Sequence, residues 1–316
     1  TKLPWNILQD ELTSLVILDA SDNALDAFQL ERMPPSLSTL DISRNKISSL
    51  TLAGEDQDDD QIIDLPNLTH FDANSNQLKS LPYNINAPIL QHLFISQNKL
   101  EALSPHPSTS SSSSSTPSTT PKKTLLQSCQ KTLQTLYAPE NSLQSCPNLD
   151  QHVKLQVVEL RMNQLKKTPS IHANLIRLDL NNNQITSIEG LYPILDKYPT
   201  AKITEDAAAA AATTTTDETK TTTTVTALHK DNIDDGWYRT NIKELHLQGN
   251  NLESTLHDAT ISVMTKLTFL DVSHNDLDKV PIALGYLPNV RRIALDGNPL
   301  RSIRHSVKYG EDGSVD

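Results

Sequence analysis

Aliphatic and polar positions repeat along this chain in a frame of eleven residues. The frame has Leu at positions 1 and 4, an aliphatic residue at position 6, Asn at position 9 and an aliphatic residue at position 11, and its other positions vary. Clear copies begin at Leu37, Leu90, Leu155, Leu175 and Leu267. Weaker copies begin at Leu15, Leu68, Leu133, Ile242 and Val290. Since successive side chains of a strand point to opposite faces, the alternating aliphatic positions predict a short strand with one buried face. One unit cannot bury that face alone, so the repeat predicts a solenoid of stacked coils.

The asparagine of the frame recurs at ten positions: Asn23, Asn45, Asn76, Asn98, Asn141, Asn163, Asn183, Asn250, Asn275 and Asn298. Six of the nine steps between them are 20 to 25 residues long, and the three longer steps contain segments of unusual composition. We expect each amide to bond backbone groups that the turn leaves unpaired, within its own coil and toward the next. Leaving such groups unpaired costs roughly 1 to 3 kcal/mol. The resulting ladder predicts that Asn163→Ala lowers the denaturation midpoint, whereas Asn232→Ala in an insert does not.

The predicted fold is therefore an α/β solenoid of about ten coils, with a parallel sheet on its concave face and short helices, 3-10 turns and loops on its convex face. Residues 1–14 are expected to cap the first coil, and residues 308–316 form a tail. The solenoid spans residues 15–307, with inserts at 52–64 (acidic), 104–124 (Ser/Thr/Pro-rich) and 199–236 (Ala/Thr-rich). The two later inserts are predicted to be disordered because their composition buries little apolar surface.

The formal net charge of the chain is −11, and six acidic residues lie between Glu55 and Asp64. This balance argues against nucleic-acid binding, which relies on clustered Lys and Arg. Apolar runs stay shorter than the 18 or so residues of a membrane span, so membrane insertion is not expected. Cys129 and Cys146 are the two cysteines, and we expect both to be free thiols, buried or half-buried. We expect a monomer.

The ten copies resemble the leucine-rich-repeat superfamily across about 210 of the 316 residues. The last copy is similar to the closing repeat of intracellular repeat-only proteins of the Ras-suppressor and Ras-group related type, with Gly297, Asn298, Pro299, Leu300 and Arg301 followed by Ile303 and Arg304. Extracellular members usually carry multi-cysteine caps, and this sequence has none. The resemblance implies a cytoplasmic protein-binding scaffold, often tied to signalling, and it supplies no catalytic residues.

One column of the predicted sheet faces the concave side and is mostly acidic. It holds Asp19, Asp41, Asp72, Phe94, Tyr137, Glu159, Asp179, His246, Asp271 and Ala294. Phe94 and Tyr137 interrupt the acidic pattern on neighbouring strands, and both should point to solvent. Because exposed aromatic residues and arginines dominate binding hot spots, we predict a concave patch for a protein partner. Its residues are His92, Phe94, Tyr137, Glu140, Glu159, Arg161, Met162 and Arg177.

Candidate chemistry beyond binding is sparse in the sequence. His70 and His92 should lie in one column about 4.8 Å apart, but two histidines without a third ligand are weak grounds for a metal site, and no metal or cofactor is predicted. Phosphate-binding, zinc-protease and nucleophile-elbow frames are absent from the sequence. The predicted function is thus a non-catalytic scaffold. The alternative is a regulatory or targeting subunit or region of an enzyme, such as a protein phosphatase or a larger multidomain enzyme. The I-x-x-I-x-G-L tail at Ile185–Leu191 resembles that of phosphatase regulators.

Overall fold

A computed structural model describes residues 11–51, 62–82, 84–103, 123–191, 240–254 and 256–301. The predicted 199–236 insert and the 308–316 tail lie outside these ranges, as does most of the capping segment and of the two earlier inserts. The described residues include Lys123 and Thr124, which the sequence assigned to the Ser/Thr/Pro-rich insert. It also includes Ile63 and Asp64, which the sequence assigned to the acidic insert.

Fourteen short strands are present in the described residues. In chain order they are β1 Ile17–Asp19, β2 Thr39–Asp41, β3 Ile63–Asp64, β4 His70–Asp72, β5 Ile85–Asn86, β6 His92–Phe94, β7 Thr135–Tyr137, β8 Val157–Glu159, β9 Arg177–Asp179, β10 Glu244–His246, β11 Glu253–Ser254, β12 Phe269–Asp271, β13 Asp276–Leu277 and β14 Arg292–Ala294. Ten of these strands form one parallel sheet in the order β1-β2-β4-β6-β7-β8-β9-β10-β12-β14. We number the coils 1 to 10 by these strands. The predicted leucine-rich-repeat solenoid is confirmed.

The return segments between the sheet strands contain little regular structure. Helix α1 spans Leu125–Ser128 and α2 spans Asp258–Ser262. Three 3-10 helices occupy Leu30–Arg32, Glu189–Leu191 and Ile282–Tyr286. Two small parallel pairs, β3 with β5 and β11 with β13, add further coil-to-coil contacts. Helix α1 begins at a capping box in which Thr124 and Gln127 bond each other's backbone amides. No helix of the described residues is long and apolar enough to span a membrane.

The sheet strands are only three residues long, and the middle residue of each points into the core. In coils 2 to 9 that residue is fully buried, whereas Leu18 in coil 1 and Ile293 in coil 10 are half-buried because they lie at the ends of the stack. All these side chains join one continuous hydrophobic core. Stacking therefore supplies the burial that a single coil lacks.

Each strand ends at a turn with left-handed backbone. The residue directly before each frame asparagine has a φ between 52° and 70° in all ten coils: Asp22, Arg44, Ser75, Gln97, Glu140, Met162, Asn182, Gly249, His274 and Gly297. Positive φ is unfavourable for residues with a Cβ, and eight of these ten positions are not glycine. Neighbouring contacts must hold the turn in place, and the asparagine amide provides them.

Asn163 illustrates those contacts. Its Nδ2 donates to the carbonyls of Leu160 and Arg161 in its own coil and of Ala138 in the preceding coil, at 2.9 to 3.3 Å. Its Oδ1 accepts the backbone N–H of Leu143 at 3.0 Å. Asn45, Asn76, Asn98, Asn141, Asn183, Asn250, Asn275 and Asn298 repeat this pattern. The inter-coil bonds run to the preceding coil and not to the following one, which reverses the predicted direction.

Candidate functional site

The sheet presents two outward columns on its concave face, formed by the first and third residues of each strand. The parallel register aligns these residues without slippage, so that His70 pairs with His92 and Phe94 pairs with Tyr137. The third-residue column is the mostly acidic one predicted from the sequence. The patch residues that lie on the strands, His92, Phe94, Tyr137, Glu159 and Arg177, therefore have positions fixed by the backbone ladder.

The aspartates of this column serve the turns. Asp19, Asp41, Asp72, Asp179 and Asp271 each accept the backbone N–H of the residue two positions later, at 2.8 to 3.1 Å. Hydrogen bonds from the side chain and backbone of Ser21 lower the pKa of Asp19. Burial raises the pKa of Asp72, which is half-buried beside Asp41. These acids thus have a local structural role that a partner is not needed to explain.

Phe94 and Tyr137 break the acidic column in coils 4 and 5. Their ring centroids lie 6.1 Å apart with an interplanar angle of 56°, within the range of favourable aromatic pairs. His92 lies against Phe94 at 6.3 Å, and His70 stacks on His92 at 4.6 Å. Phe94, Tyr137 and His92 are half-buried and His70 is exposed. The aromatic rings thus form one row across coils 3 to 5 and partly cover one another, so neither Phe94 nor Tyr137 stands free in solvent.

Charged side chains continue this row into coils 6 to 8. Arg161 donates from Nη2 to the Tyr137 hydroxyl at 3.3 Å and lies 3.7 Å from a Glu140 oxygen. The Tyr137 contact is the main cause that raises the pKa of Arg161. Arg177 bridges two acids, with Nε 3.4 Å from Glu159 and Nη1 2.8 Å from Glu244. Both arginines are therefore held in defined directions.

Glu140 and Met162 lie in the turns that follow β7 and β8, whereas Glu159 is the third residue of β8. Glu140 and Met162 occupy left-handed turn positions, each with a φ of 56°, and the Met162 side chain is 47% exposed. Burial raises the pKa of Glu159, and Arg177 opposes that shift. The structure brings the eight predicted residues into one continuous surface across coils 4 to 7.

The sequence analysis missed a second aromatic group on the same face. His246 and Phe269 have ring centroids 4.9 Å apart, and the Arg292 guanidinium lies 5.5 Å from the Phe269 ring centroid. The first-residue column of the strands holds Arg177, Glu244, Phe269 and Arg292 in successive coils. Examining that column as well as the third-residue column would have revealed this group.

The histidine pair and the cysteines do not form reactive sites in this arrangement. Among the described residues, no group of three or more His, Cys, Asp or Glu side chains could hold a metal ion. Burial, and then the neighbouring His70, lowers the pKa of His92. Cys129 and Cys146 are free, with Cys129 buried and Cys146 half-buried, as predicted. Burial raises the pKa of each thiol to about 12, so both stay protonated at neutral pH.

Comparison with known proteins agrees with this geometry. Residues 231–300 match the family model for the leucine rich repeat. The chain is similar to keratocan of Coturnix japonica, with 29% identity over 199 residues that cover 57% of this chain and 51% of keratocan. It thus spans about half the length of that relative. These two matches support the leucine-rich-repeat superfamily.

Solved structures show the same fold. A leucine-rich-repeat protein of Leptospira interrogans aligns with a TM-score of 0.58 and 22% identity, over 95% of this chain and 58% of that one. A chain in the octameric complex of Latrophilin 3, Unc5D and the leucine-rich repeats of FLRT2 aligns with a TM-score of 0.51 and 14% identity, over 92% of this chain and 77% of that one. At these identities the likeness concerns the fold alone.

Proposed function

We propose that this leucine-rich-repeat solenoid is a non-catalytic scaffold that holds a protein partner on the concave patch. Proteins of this repeat class commonly act as protein-binding scaffolds, and the FLRT2 repeats belong to a complex with other proteins. The single observation that carries the proposal is the interruption of the turn-supporting aspartates by Phe94 and Tyr137. In these two coils the third residue of the strand is aromatic, and the two rings lie 6.1 Å apart and are half-exposed.

Preorganised side chains support the proposal. Arg161 is held by Tyr137 and Glu140, and Arg177 is held by Glu159 and Glu244. Ordering a flexible side chain on binding costs about 0.5 to 1.5 kcal/mol. Arginines that are already fixed avoid part of that cost. Tyr and Arg are also the residues most often found in binding hot spots.

The proposal is tested by affinity capture with the purified full chain, followed by dissociation constants for the proteins retained. We expect the Phe94→Ala, Tyr137→Ala double variant to raise the dissociation constant by about 30-fold or more, which corresponds to about 2 kcal/mol at a hot spot. Loss of the contact between the two rings should lower the free energy of unfolding by about 1 kcal/mol, in addition to the loss that follows from the smaller buried apolar area. Differential scanning calorimetry separates the two effects.

A matched control removes an apolar pair from a return segment. Ile282 and Tyr286 lie in the third 3-10 helix with exposed fractions of 66% and 49%. Ile282→Ala with Tyr286→Ala should leave the dissociation constant unchanged. A partner that binds the Phe94/Tyr137 variant normally, or that is lost only with the Ile282/Tyr286 variant, would contradict the proposal.

The alternative of a phosphatase regulator rests on the tail at Ile185–Leu191. Gly190 of that tail lies against Thr168 of the preceding coil, where a Cβ would come within 2.5 Å of Oγ1 and 2.7 Å of the carbonyl oxygen. Close packing between coils thus accounts for the glycine without a phosphatase. We therefore keep the partner-binding scaffold as the proposed function.

Membership of the Ras-suppressor and Ras-group branch, a signalling role, a monomeric state and a cytoplasmic location remain predictions. Gly297 and Arg301 of the branch motif are described, whereas Ile303 and Arg304 lie outside the described residues. The comparisons do not support the cytoplasmic location. Localising a tagged chain in intact cells would test it directly.

A further inference from the structure

A groove of about 470 Å³, lined mainly by polar side chains, runs along one flank of the sheet next to the concave patch. Its walls come from residues at the N-terminal ends of the strands. Gln134, Gln156 and Lys243 directly precede β7, β8 and β10, and Lys266 precedes the first leucine of coil 9. The groove therefore crosses coils 5 to 9.

The floor of the groove is ordered by a series of hydrogen bonds between successive coils. Lys266 Nζ donates to Asn241 Oδ1 at 2.6 Å, and Asn241 Nδ2 donates to Asn174 Oδ1 at 3.3 Å. Asn174 Nδ2 then donates to the carbonyl of Val153 at 2.7 Å. Side chains from three consecutive coils are thus positioned against one another and against a backbone carbonyl of a fourth coil before any ligand arrives.

The asparagines of this series have a structural explanation, and the hydrogen bond of Lys266 to Asn241 has the same one, but linking the coils does not require the positive charge of a lysine. Asn67 and Asn289 occupy the same repeat position in coils 3 and 10, where they donate to the carbonyls of Pro35 and Thr265 at 2.8 and 2.7 Å. An asparagine here is thus a general link between coils. In coils 6 and 9 the position holds Lys154 and Lys266 instead.

Three exposed lysines, Lys154, Lys243 and Lys266, give the groove its charge. The described residues that line it include no Asp or Glu. No carboxylate of the described part of the chain lies within ion-pair distance of these three ammonium groups. By contrast, Arg161 and Arg177 on the concave face are both paired with acids. Among the described residues, the groove therefore carries positive charge that no carboxylate pairs with, in a chain whose net charge is −11.

We propose that this groove binds an extended acidic peptide segment of a partner protein. Lysine ammonium groups attract carboxylates, and Gln and Asn side chains both donate and accept hydrogen bonds, as peptide groups do. Val153, 40% exposed, and Ile176 offer an apolar contact within the groove. Five coils at about 4.8 Å per step span about 19 Å, which fits an extended segment of about six residues.

The direct test uses a fluorescein-labelled octapeptide, Glu-Glu-Val-Glu-Glu-Val-Glu-Glu, and its analogue with Gln in place of every Glu. Binding to the full chain is followed by fluorescence anisotropy at about 50 and 200 mM salt. We expect the acidic peptide to bind, the Gln analogue to bind at least tenfold more weakly, and affinity to fall with salt because the contacts are partly exposed.

Two triple variants locate the binding. Lys154→Gln, Lys243→Gln and Lys266→Gln together should weaken binding of the acidic peptide at least tenfold. Lys46→Gln, Lys79→Gln and Lys166→Gln change three exposed lysines outside the groove, giving the same net charge, and should weaken it no more than twofold. The Phe94→Ala, Tyr137→Ala variant should bind the acidic peptide as the wild type does, so failure of the concave patch and failure of the groove are distinguishable.

Three outcomes would overturn the proposal. The wild type could show no binding of the acidic peptide at protein concentrations up to about 1 mM. A dissociation constant of about 1 mM corresponds to a binding free energy of only about 4 kcal/mol. The two triple variants could lose affinity equally, which would mean a diffuse charge effect. Sodium tripolyphosphate could bind in a groove-lysine-dependent way while the acidic peptide does not, which would assign the groove to a phosphate ligand.

Discussion

The asparagine turn occurs in all ten coils, whereas the concave patch occupies only coils 4 to 7. Eight of the ten frame asparagines are buried, with Asn141 half-buried and Asn23 exposed in the first coil. The patch is half-exposed, and its residue types change from coil to coil. The asparagines that recur in every coil are explained by the backbone groups that they pair. The side chains of the patch differ from coil to coil and need a separate explanation, and binding of a partner supplies one.

The flank groove follows the same rule. Asparagine at the position before the first frame leucine is a repeated link between coils, as in Asn67, Asn174, Asn241 and Asn289. Coils 6 and 9 have Lys154 and Lys266 at that position, and neither lysine forms an ion pair with a described acid. In both proposed sites, the argument thus rests on side chains whose aromatic ring or charge the contacts between coils do not require.

The largest expected effect concerns the asparagine turn itself. Asn163→Ala removes three donated bonds and one accepted bond. The N–H of Leu143 is then left unpaired in the interior, whereas the carbonyls of Ala138, Leu160 and Arg161 each keep one other donor. Since an unpaired buried group costs about 1 to 3 kcal/mol and each lost hydrogen bond adds to that cost, we expect the free energy of unfolding to fall by about 3 kcal/mol. Urea denaturation followed by circular dichroism measures this loss.

Asn23 is the matched control for that substitution. It is exposed and donates only to Ala20 and Ser21 of its own coil among the described residues. Asn23→Ala should cost less than about 1 kcal/mol, because water can replace both bonds. Equal losses at Asn23 and Asn163 would show that inter-coil bonding is not what the asparagine contributes.

An intermediate effect is expected where two coils meet at a glycine. Gly190→Ala places a Cβ 2.7 Å from the backbone carbonyl oxygen of Thr168, and a backbone atom cannot rotate away. Overpacking of this kind costs about 1 to 3 kcal/mol, so we expect a loss of about 2 kcal/mol by calorimetry. If Gly190→Ala left the free energy of unfolding unchanged, packing would not explain the glycine, and the tail of coil 7 would need a functional explanation.

Gly285 provides the comparison within the same type of element. It lies in the 3-10 helix Ile282–Tyr286 as Gly190 lies in Glu189–Leu191. A Cβ at Gly285 would meet no atom within 4 Å. Gly285→Ala should therefore change the free energy of unfolding by less than about 0.5 kcal/mol. A large loss there would mean that glycine itself, and not the contact with Thr168, governs these helices.

The sequence predicted the solenoid and the parallel sheet because leucine spacing records burial directly. It also placed Phe94 beside Tyr137, since a parallel register follows once the frame is aligned. It could not give the direction of the asparagine bonds, because the amide can in principle reach either neighbouring coil. Only the coordinates show that Asn163 Nδ2 donates to Ala138 and not to a residue of the following coil.

The repeat frame could not predict contacts between side chains of different columns. Arg177 of the first-residue column lies with Nε 3.4 Å from Glu159, which belongs to the third-residue column of the preceding coil, and the frame does not show which side chains meet across columns. The flank groove likewise combines Lys154 with Lys266, which the sequence shows only as isolated cations. The exposure of Phe94 was overestimated for the same reason, since His92 and Tyr137 cover it from the sides.

The smallest expected effect compares a buried histidine with one in the concave patch. His152 is 2% exposed, with Nε2 3.1 Å from the carbonyl oxygen of Leu126, and burial lowers its pKa below the ordinary 6.5. The folded chain therefore binds this proton less tightly than the unfolded chain does. The contribution of His152 to the free energy of unfolding should be constant above pH 6.5 and should decline as the pH falls below that value.

His152→Leu should flatten this decline, measured as the difference in Tm between pH 7 and pH 5. The absolute stability of the variant does not enter, because each protein is compared with itself at two pH values. His92→Gln should flatten the decline less, because His92 is only half-buried and water screens its charge, although burial lowers its pKa as well. A greater flattening by His92→Gln would place the main acid-sensitive group on the concave face and weaken the division between a structural interior and a binding surface.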